Sequence, residues 1–500
     1  DKLQVSLPWR VPVILYASHN DFLQTNIQLS LIPEGVQAFA EPSRKRIVLP
    51  FTGSFPAFAH TAIHELAHVF TFQIVYNRLM DNVFSRNALF GMPLWIAEGL
   101  AEYLAIGWDS ESDMFIRDAV IHDYLPDLSY ASGFMVYKGG QAAFNYIEET
   151  YGQEKVLEII QALAVTRNAD GSLERTIGLN TSEFSAKWLK AMRKHYWPMY
   201  GDKTEVSDLG RRLTNHVKER GAYNVKPVMS PDGERIAFFS DRGGGLISIY
   251  VMATIDGKIQ RKLVTGAKSD RFESLHFYTS SLAWSPDGDY IAFVAKSGGR
   301  DKIYIVGADR GRVKKKINIK SDGLASPAWS PQGDRICVSA VLGGQTDLLL
   351  VDVETGNYKR LTYDIADQLN PRFFPDGKRI AFGYYADTTP PVPDDLSASA
   401  RKTLHEMDFL SDNLRKHVTL DIWEMNIETL VARPLVETEG DDQSPVVFDG
   451  GRKMVFTSDV TGIRNLYVAD LETGRYRRVT DILSGIQAPD INEANNRVTF

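Results

Sequence analysis

One phrase returns along the second half of the chain and limits its fold more than any other feature: "MSPDGERIAFFS", "WSPDGDYIAFVA", "WSPQGDRICVSA", "FFPDGKRIAFGY", "VFDGGRKMVFTS" and "INEANNRVTF". The anchors Asp232, Asp287, Gln332, Asp376, Gly450 and Ala494 lie 55, 45, 44, 74 and 44 positions apart. A basic period near 44 is the length of a four-stranded propeller blade. Each Asp-Gly turns a hairpin into the "RIAF" strand, and "DVETGNYKRLT" and "DLETGRYRRVT" supply a second hairpin. Residues 206–500 therefore read as an all-β propeller of about six blades, the last one incomplete. The 74-residue step holds an insertion at about 387–420, Pro-rich and then helical in pattern, expected to project from one face. The final unit stops after its first hairpin, while "GRRLTNHV", residues 210–217, resembles the closing strands. The expectation is that 210–217 clasps the last blade beside a gap, and that the natural protein continues past Phe500 by roughly 20 residues or more.

The first 205 residues follow other periods. "VPVILYA" and "KRIVLPF" have the β-branched, apolar character of strands. Helical spacing then predicts helices over 57–79, 92–106, 133–151, 153–165 and 181–198. Residues 1–205 are thus an α+β domain, and the whole chain is multidomain.

A net charge of −7 argues against a nucleic-acid surface, which needs clustered Lys and Arg. Residues 1–205 carry 17 basic and 23 acidic side chains, so that part is mildly acidic. The single cysteine, Cys337, sits in the alternating run "RICVSAV" and reads as a buried thiol. No apolar run reaches the length of a membrane span, and nothing before Asp1 reads as a signal peptide.

Chemistry concentrates in "HTAIHELAHVF", residues 60–70. On a helix, His64 and His68 stand one turn apart on one face and can aim two imidazoles at one ion, with Glu65 beside it as a general base. A third ligand is available in "GMPLWIAEGLAEYL", where Glu98 and Glu102 interrupt an otherwise apolar helix. One carboxylate could bind a metal while the other orients a histidine through its free ring nitrogen. A buried carboxylate without a cation is expensive, which favours this over two unrelated acids.

"HELAH" followed by "PLWIAEGLAEY" resembles the gluzincin metallopeptidases, specifically the peptidase MA-like domain, over about residues 10–200. That resemblance implies His64, His68 and Glu98 as zinc ligands, Glu65 as base, and Glu102 as the residue orienting a ligand. Gluzincins also steady an oxyanion with Tyr or His. "VYKGGQAAFNYIEETYG" is similar to the Tyr-x-x-Gly helix start of aminopeptidase-like members, which implies Tyr137, with Tyr130 in "SYASGF" as its rival. The Gly-x-Met-Glu-Asn stretch of the aminopeptidases is absent upstream of His64, so an endopeptidase is expected. The second half resembles the WD-like repeats of TolB-type propellers over about 211–500, which implies an extracytoplasmic, periplasmic location.

These readings converge on a zinc-dependent peptidase acting through a metal-activated water on a peptide or protein substrate. The propeller would serve substrate capture or partner docking, and the strand "RIVLPF" is a candidate edge for an extended substrate. The acidic stretch 109–127 could favour basic substrates, though such runs are more often solvated. The alternative is a propeller-based scaffold protein whose metal site is structural or vestigial.

Overall fold

Short apolar runs near the start build a small sheet in the computed structural model, which describes residues 3, 5–25, 27, 32, 34–76, 92–364, 366–385 and 419–500. Its strands are β1 (Val13–Tyr16), β2 (Phe39–Glu41) and β3 (Arg46–Pro50), in the order β1-β3-β2. β3 runs parallel to β1, with Val13 opposite Ile47, and antiparallel to β2, with Phe39 opposite Val48. "RIVLPF" is therefore the central strand, with both its edges taken. The expectation that it offers an edge to substrate is corrected: the edge belongs to β2, a strand too short to show an alternating pattern.

A short helix α1 (His19–Leu23) follows β1, and among the described residues seven helices of nine or more residues follow β3. They are α2 (Phe55–Tyr76), α3 (Leu94–Ile106), α4 (Ser110–Ile121), α5 (Phe134–Tyr151), α6 (Gln153–Thr166), α7 (Ala169–Ile177) and α8 (Thr181–Tyr196). The expected helix over 57–79 corresponds to α2, with 77–79 outside the described residues. α4 forms inside the acidic stretch because the Asp109 side chain accepts from Ser112 N and acids fill its first turn, where the helix dipole favours them. Trp95, Phe144, Phe184 and Trp188 centre the helical core, and Ile47 and Leu49 of β3 bury against Val69 of α2.

Among the described residues beyond 223 lie five four-stranded antiparallel sheets and one two-stranded sheet. They cover 224–265, 283–318, 323–360, 367–436, 442–478 and 490–499, in sequence order. The recurring turn is built alike in the first three sheets: Gly233, Gly288 and Gly333 have positive φ, and their N–H groups donate to the carbonyls of Ser230, Ser285 and Ser330 at 2.8, 2.9 and 2.9 Å. Innermost strands also share a kink before proline, with Lys226, Ser326, Asn370 and Ser444 at φ of 55, 52, 51 and 55° where the register shifts.

Neighbouring innermost strands touch in cyclic order, and the last sheet touches both the fifth and the first. Asp490 accepts from Met229 N at 2.7 Å, and Asn492 donates to the carbonyls of Ser230 and Pro231 at 3.1 and 2.8 Å. The ring thus closes with residues up to Phe500, and the expected gap is not there. Residues 210–217 are not a strand of the last blade: Leu213 packs on the first sheet beside Met229 and Tyr250, and Arg211 donates to Thr254 O at 3.1 Å. Their likeness to the closing strands lies in sequence alone. The expected insertion at 387–420 falls almost wholly outside the described residues.

The helical part rests on one face of the ring. Asn20 Nδ2 donates to Asp301 Oδ1 at 2.7 Å in the second sheet, and His276 Nε2 meets the same oxygen at 2.7 Å. Thr346 of the third sheet donates to Gly53 O, and Asp367 of the fourth accepts from Phe55 N at 3.0 Å. Ser110 donates to Asp459 after a strand of the fifth.

Candidate metal centre and its cleft

α2 carries His60, His64 and His68 one turn apart, so the three rings form a stripe on one face. α3 carries Glu98 and Glu102 at the same spacing. α3 meets α5 at two glycines: a Cβ on Gly140 would lie 2.3 Å from Trp95 O and 2.7 Å from Gly99 Cα. Only at such glycines can the two backbones approach this closely, and the approach places Tyr137 and Lys138 beside the α3 carboxylates.

His64 Nε2 lies 3.2 Å from His68 Nε2 and 3.3 Å from Glu98 Oε2, and His68 Nε2 lies 3.3 Å from the same oxygen. Ligands held tetrahedrally at zinc distances stand roughly 3.3–3.4 Å from one another. The three atoms therefore fit one face of such a tetrahedron, and two imidazoles with a carboxylate are the donor set zinc takes. His64, His68 and Glu98 could hold a metal ion, and His60, His64 and Glu102 form a second such group.

Glu102 gathers donors. Its Oε2 meets His64 Nδ1 at 3.1 Å and His60 Nε2 at 3.0 Å, while Oε1 accepts from Lys138 Nζ at 2.7 Å. Lys138 Nζ also donates to Ser112 Oγ at 2.9 Å. His60 and Lys138 were not singled out by sequence reasoning. His60 stands four residues before His64, a signal that was available, whereas nothing local marked Lys138 as a partner of Glu102.

Charge follows this geometry. Burial opposes ionisation of His64, but hydrogen bonds to Glu102 and Glu98 outweigh it and raise its pKa to about 9. Against the same burial cost, His64 and His68 draw Glu98 down to about 2, and His60, His64 and Lys138 hold Glu102 well below the usual carboxylate range. Glu65 goes the other way: burial pushes its carboxyl up, although His68 and His64 oppose this and the Ala40 N–H of β2 hydrogen-bonds it.

A cleft of about 720 Å³ opens over these groups, with Val36, Ala38 and Phe39 on the β2 side and Phe72, Leu94 and Phe134 opposite. Tyr137 lines it, stacks on His64 with ring centroids 6.1 Å apart, and has its phenol pushed up to about 12 by burial and by Glu98 and Glu65. Tyr130 does not join the group: it is 81% exposed and absent from the cleft lining. Acids of the 109–127 stretch have structural partners instead. Asp109 caps α4, Asp113 pairs with Arg117 and Tyr196, and Asp123 pairs with Arg193 at 3.0 Å.

The chain was compared with known proteins. It is 25% identical over 168 residues to the uncharacterized peptidase YuxL of Bacillus subtilis, a match covering 32% of this chain and 21% of that protein. Among solved structures, TolB from Acinetobacter baumannii shares 18% identity with a TM-score of 0.41, over 54% of this chain and 57% of that one. A puromycin-hydrolyzing peptidase of Mycobacterium tuberculosis shares 17% identity with a TM-score of 0.35, over 54% and 39%. The chain thus spans about a fifth of the length of the Bacillus relative. Family models match residues 11–194 as Peptidase MA superfamily and residues 278–392 as TolB beta propeller domain. The centre just described lies inside the first match, and the turns at Gly288, Gly333 and Gly377 lie inside the second, so the chain carries a Peptidase MA superfamily match over residues 11–194 followed by a TolB β-propeller match over residues 278–392.

Proposed function

We propose that the protein is a zinc-dependent endopeptidase. The observation that carries this reading is the triangle of His64 Nε2, His68 Nε2 and Glu98 Oε2, with edges of 3.2–3.3 Å, beside Glu65 in an open cleft. His64, His68 and Glu98 would hold the ion, and Glu102 would fix the His64 ring through Nδ1. Zinc, when bound, supplies Lewis acidity toward a carbonyl and lowers the pKa of water. Glu65 takes a proton from the attacking water and returns it to the leaving amine. Tyr137 donates a hydrogen bond to the developing oxyanion. An extended peptide lies along the outer edge of β2, whose Ala40 N–H already faces Glu65. A TolB-type propeller supports an extracytoplasmic, periplasmic location, which fractionation of the source cells would check, and the propeller would dock a protein partner.

The test is Glu65→Gln in the full chain. The amide keeps the shape but accepts no proton, so zinc content should equal that of the unaltered protein while cleavage of unfolded casein falls on the order of a hundredfold or more. Cleavage at the unaltered rate in that variant would remove Glu65 from the reaction. An unaltered protein that takes up zinc yet cleaves nothing would leave the scaffold function instead.

A further inference from the structure

The half of α2 that carries the histidines has little fully buried packing: none of residues 54–63 is fully buried, Phe58 and Ala62 pack only partly buried against the Ile47–Leu49–Val69 cluster, and the first fully buried residue is Glu65. Its direction depends on what holds its first turn. Ser54 O accepts from Phe58 N at 2.9 Å, the ordinary start of a helix. The remaining donors are poorly served within the helical part. Pro56 has no N–H, and Ala57 N reaches Ser54 Oγ only at 3.4 Å, beyond a strong bond. Phe55 N–H goes to a carboxylate 312 positions away, Oδ2 of buried Asp367, at 3.0 Å. Asp367 opens the innermost strand of the fourth blade and sets a negative charge at the positive end of a 22-residue helix.

A second contact lies two residues earlier. Thr346 of the third blade donates to Gly53 O. At Gly53, φ is +89°, and a Cβ would lie 2.5 Å from both Thr346 Oγ1 and Val341 Cγ2. The junction between β3 and α2 is therefore seated against two blades, and it needs glycine to sit there.

We infer that Asp367 is a positioning residue for the metal centre: the propeller anchors the N-terminal end of α2 and thereby sets His60, His64 and His68 against Glu98 and Glu102. Its consequence for catalysis rests on the peptidase reading, whereas its effect on α2 does not. Ligand atoms must hold their places to within about half an ångström, so an end that swings freely loosens the centre. The propeller is then part of the active-site scaffold as well as a surface for partners.

Full-length Asp367→Ala, Asp367→Asn and Asp376→Ala decide this. Asp376 lies in the turn at the opposite end of the same strand, where it accepts from Lys378 and Arg379 N at 2.8 and 3.0 Å. It reports general loosening of the blade. Three quantities are read: amide exchange over residues 55–64, the zinc dissociation constant by chelator competition, and kcat and KM on an unfolded protein substrate. Asp367→Ala should speed exchange over 55–64 about fivefold, and weaken zinc or lower kcat on the order of threefold to tenfold with KM little changed. Asp367→Asn, whose amide oxygen still accepts, should recover most of the loss, and Asp376→Ala should leave all three as in the unaltered protein. Unchanged exchange in Asp367→Ala overturns the inference. So does faster exchange with zinc affinity and kcat both within about twofold, or the same effects in Asp376→Ala. An unaltered protein that neither takes up zinc nor cleaves would sink the peptidase reading and the catalytic consequence together, while unchanged α2 exchange would sink the inference alone.

Discussion

Glu102 spends two oxygens on three nitrogens, whereas Glu98 Oε2 meets the two ring atoms that converge with it, His64 Nε2 and His68 Nε2. In the proposed function this difference makes Glu98 the metal ligand and Glu102 the residue that orients one. Glu98→Ala should lose zinc outright, measured as metal content after gel filtration, because it removes one of three protein ligands. Full occupancy in that variant would hand the third position to Glu102. Tyr137→Phe should lower turnover with zinc content unchanged, on the order of a hundredfold as for loss of an oxyanion donor, whereas Tyr130→Phe should cleave normally. A normal rate in Tyr137→Phe would end its role. The HExxH spacing and both α3 acids were legible in the sequence because helical geometry fixes which residues share a face. What surrounds Glu102 was not, because Lys138 arrives from another helix through tertiary packing. The choice between Tyr137 and Tyr130 likewise depends on where α5 begins, and residue types do not set that.

Among elements, the contact of α3 with α5 yields a sharp contrast between neighbours. A Cβ on Gly140 would meet Trp95 O at 2.3 Å, while one on Gly139 would find only Trp188 Cη2 at 3.9 Å, an ordinary contact. Gly140→Ala should therefore cost roughly 3 kcal/mol by overpacking, and Gly139→Ala should be neutral or gain up to about 1 kcal/mol from helix propensity. Denaturant titration of both variants checks this, and equal midpoints would mean that the two helices do not touch at Gly140. Helices and blades were readable because periodic burial writes itself into the sequence. Two assignments went astray where no period exists. β2 spans three residues, too few for alternation, so the edge was given to β3. Residues 210–217 share "RRLT"-like residues with closing strands, yet a strand needs a partner edge, and the last sheet's hairpin already docks on the Met229–Gly233 turn.

Across the whole molecule, the helical part meets successive blades through polar groups, among them Asp301, Thr346, Asp367 and Asp459. Such residues carry no apolar pattern, which is why the sequence revealed two units without revealing how they join. Arg117 of α4 is the deepest of these links. It is 1% exposed, donates through Nε to Leu483 O at 2.6 Å and through Nη2 to Ser484 O at 3.0 Å, and pairs with Asp113 on its own helix. The segment it grips leaves the fifth blade and leads into the hairpin that closes the ring, so one side chain connects the helical part to the closure. Removing it strands the buried carbonyl of Leu483 and the half-buried one of Ser484, and leaves Asp113 the Tyr196 hydroxyl at 2.6 Å. Breaking a buried charged pair costs about 3–5 kcal/mol. Arg117→Ala should therefore lower the melting temperature and, because the loss falls at the junction, split calorimetric unfolding into a helical and a propeller transition. Arg117→Lys should recover little, since an ammonium cannot span both carbonyls and Asp113 in the planar geometry of a guanidinium. A variant that melts within about 2 °C of the unaltered protein, less than 1 kcal/mol would produce in a domain of this size, would show that Arg117 does not hold the two parts together.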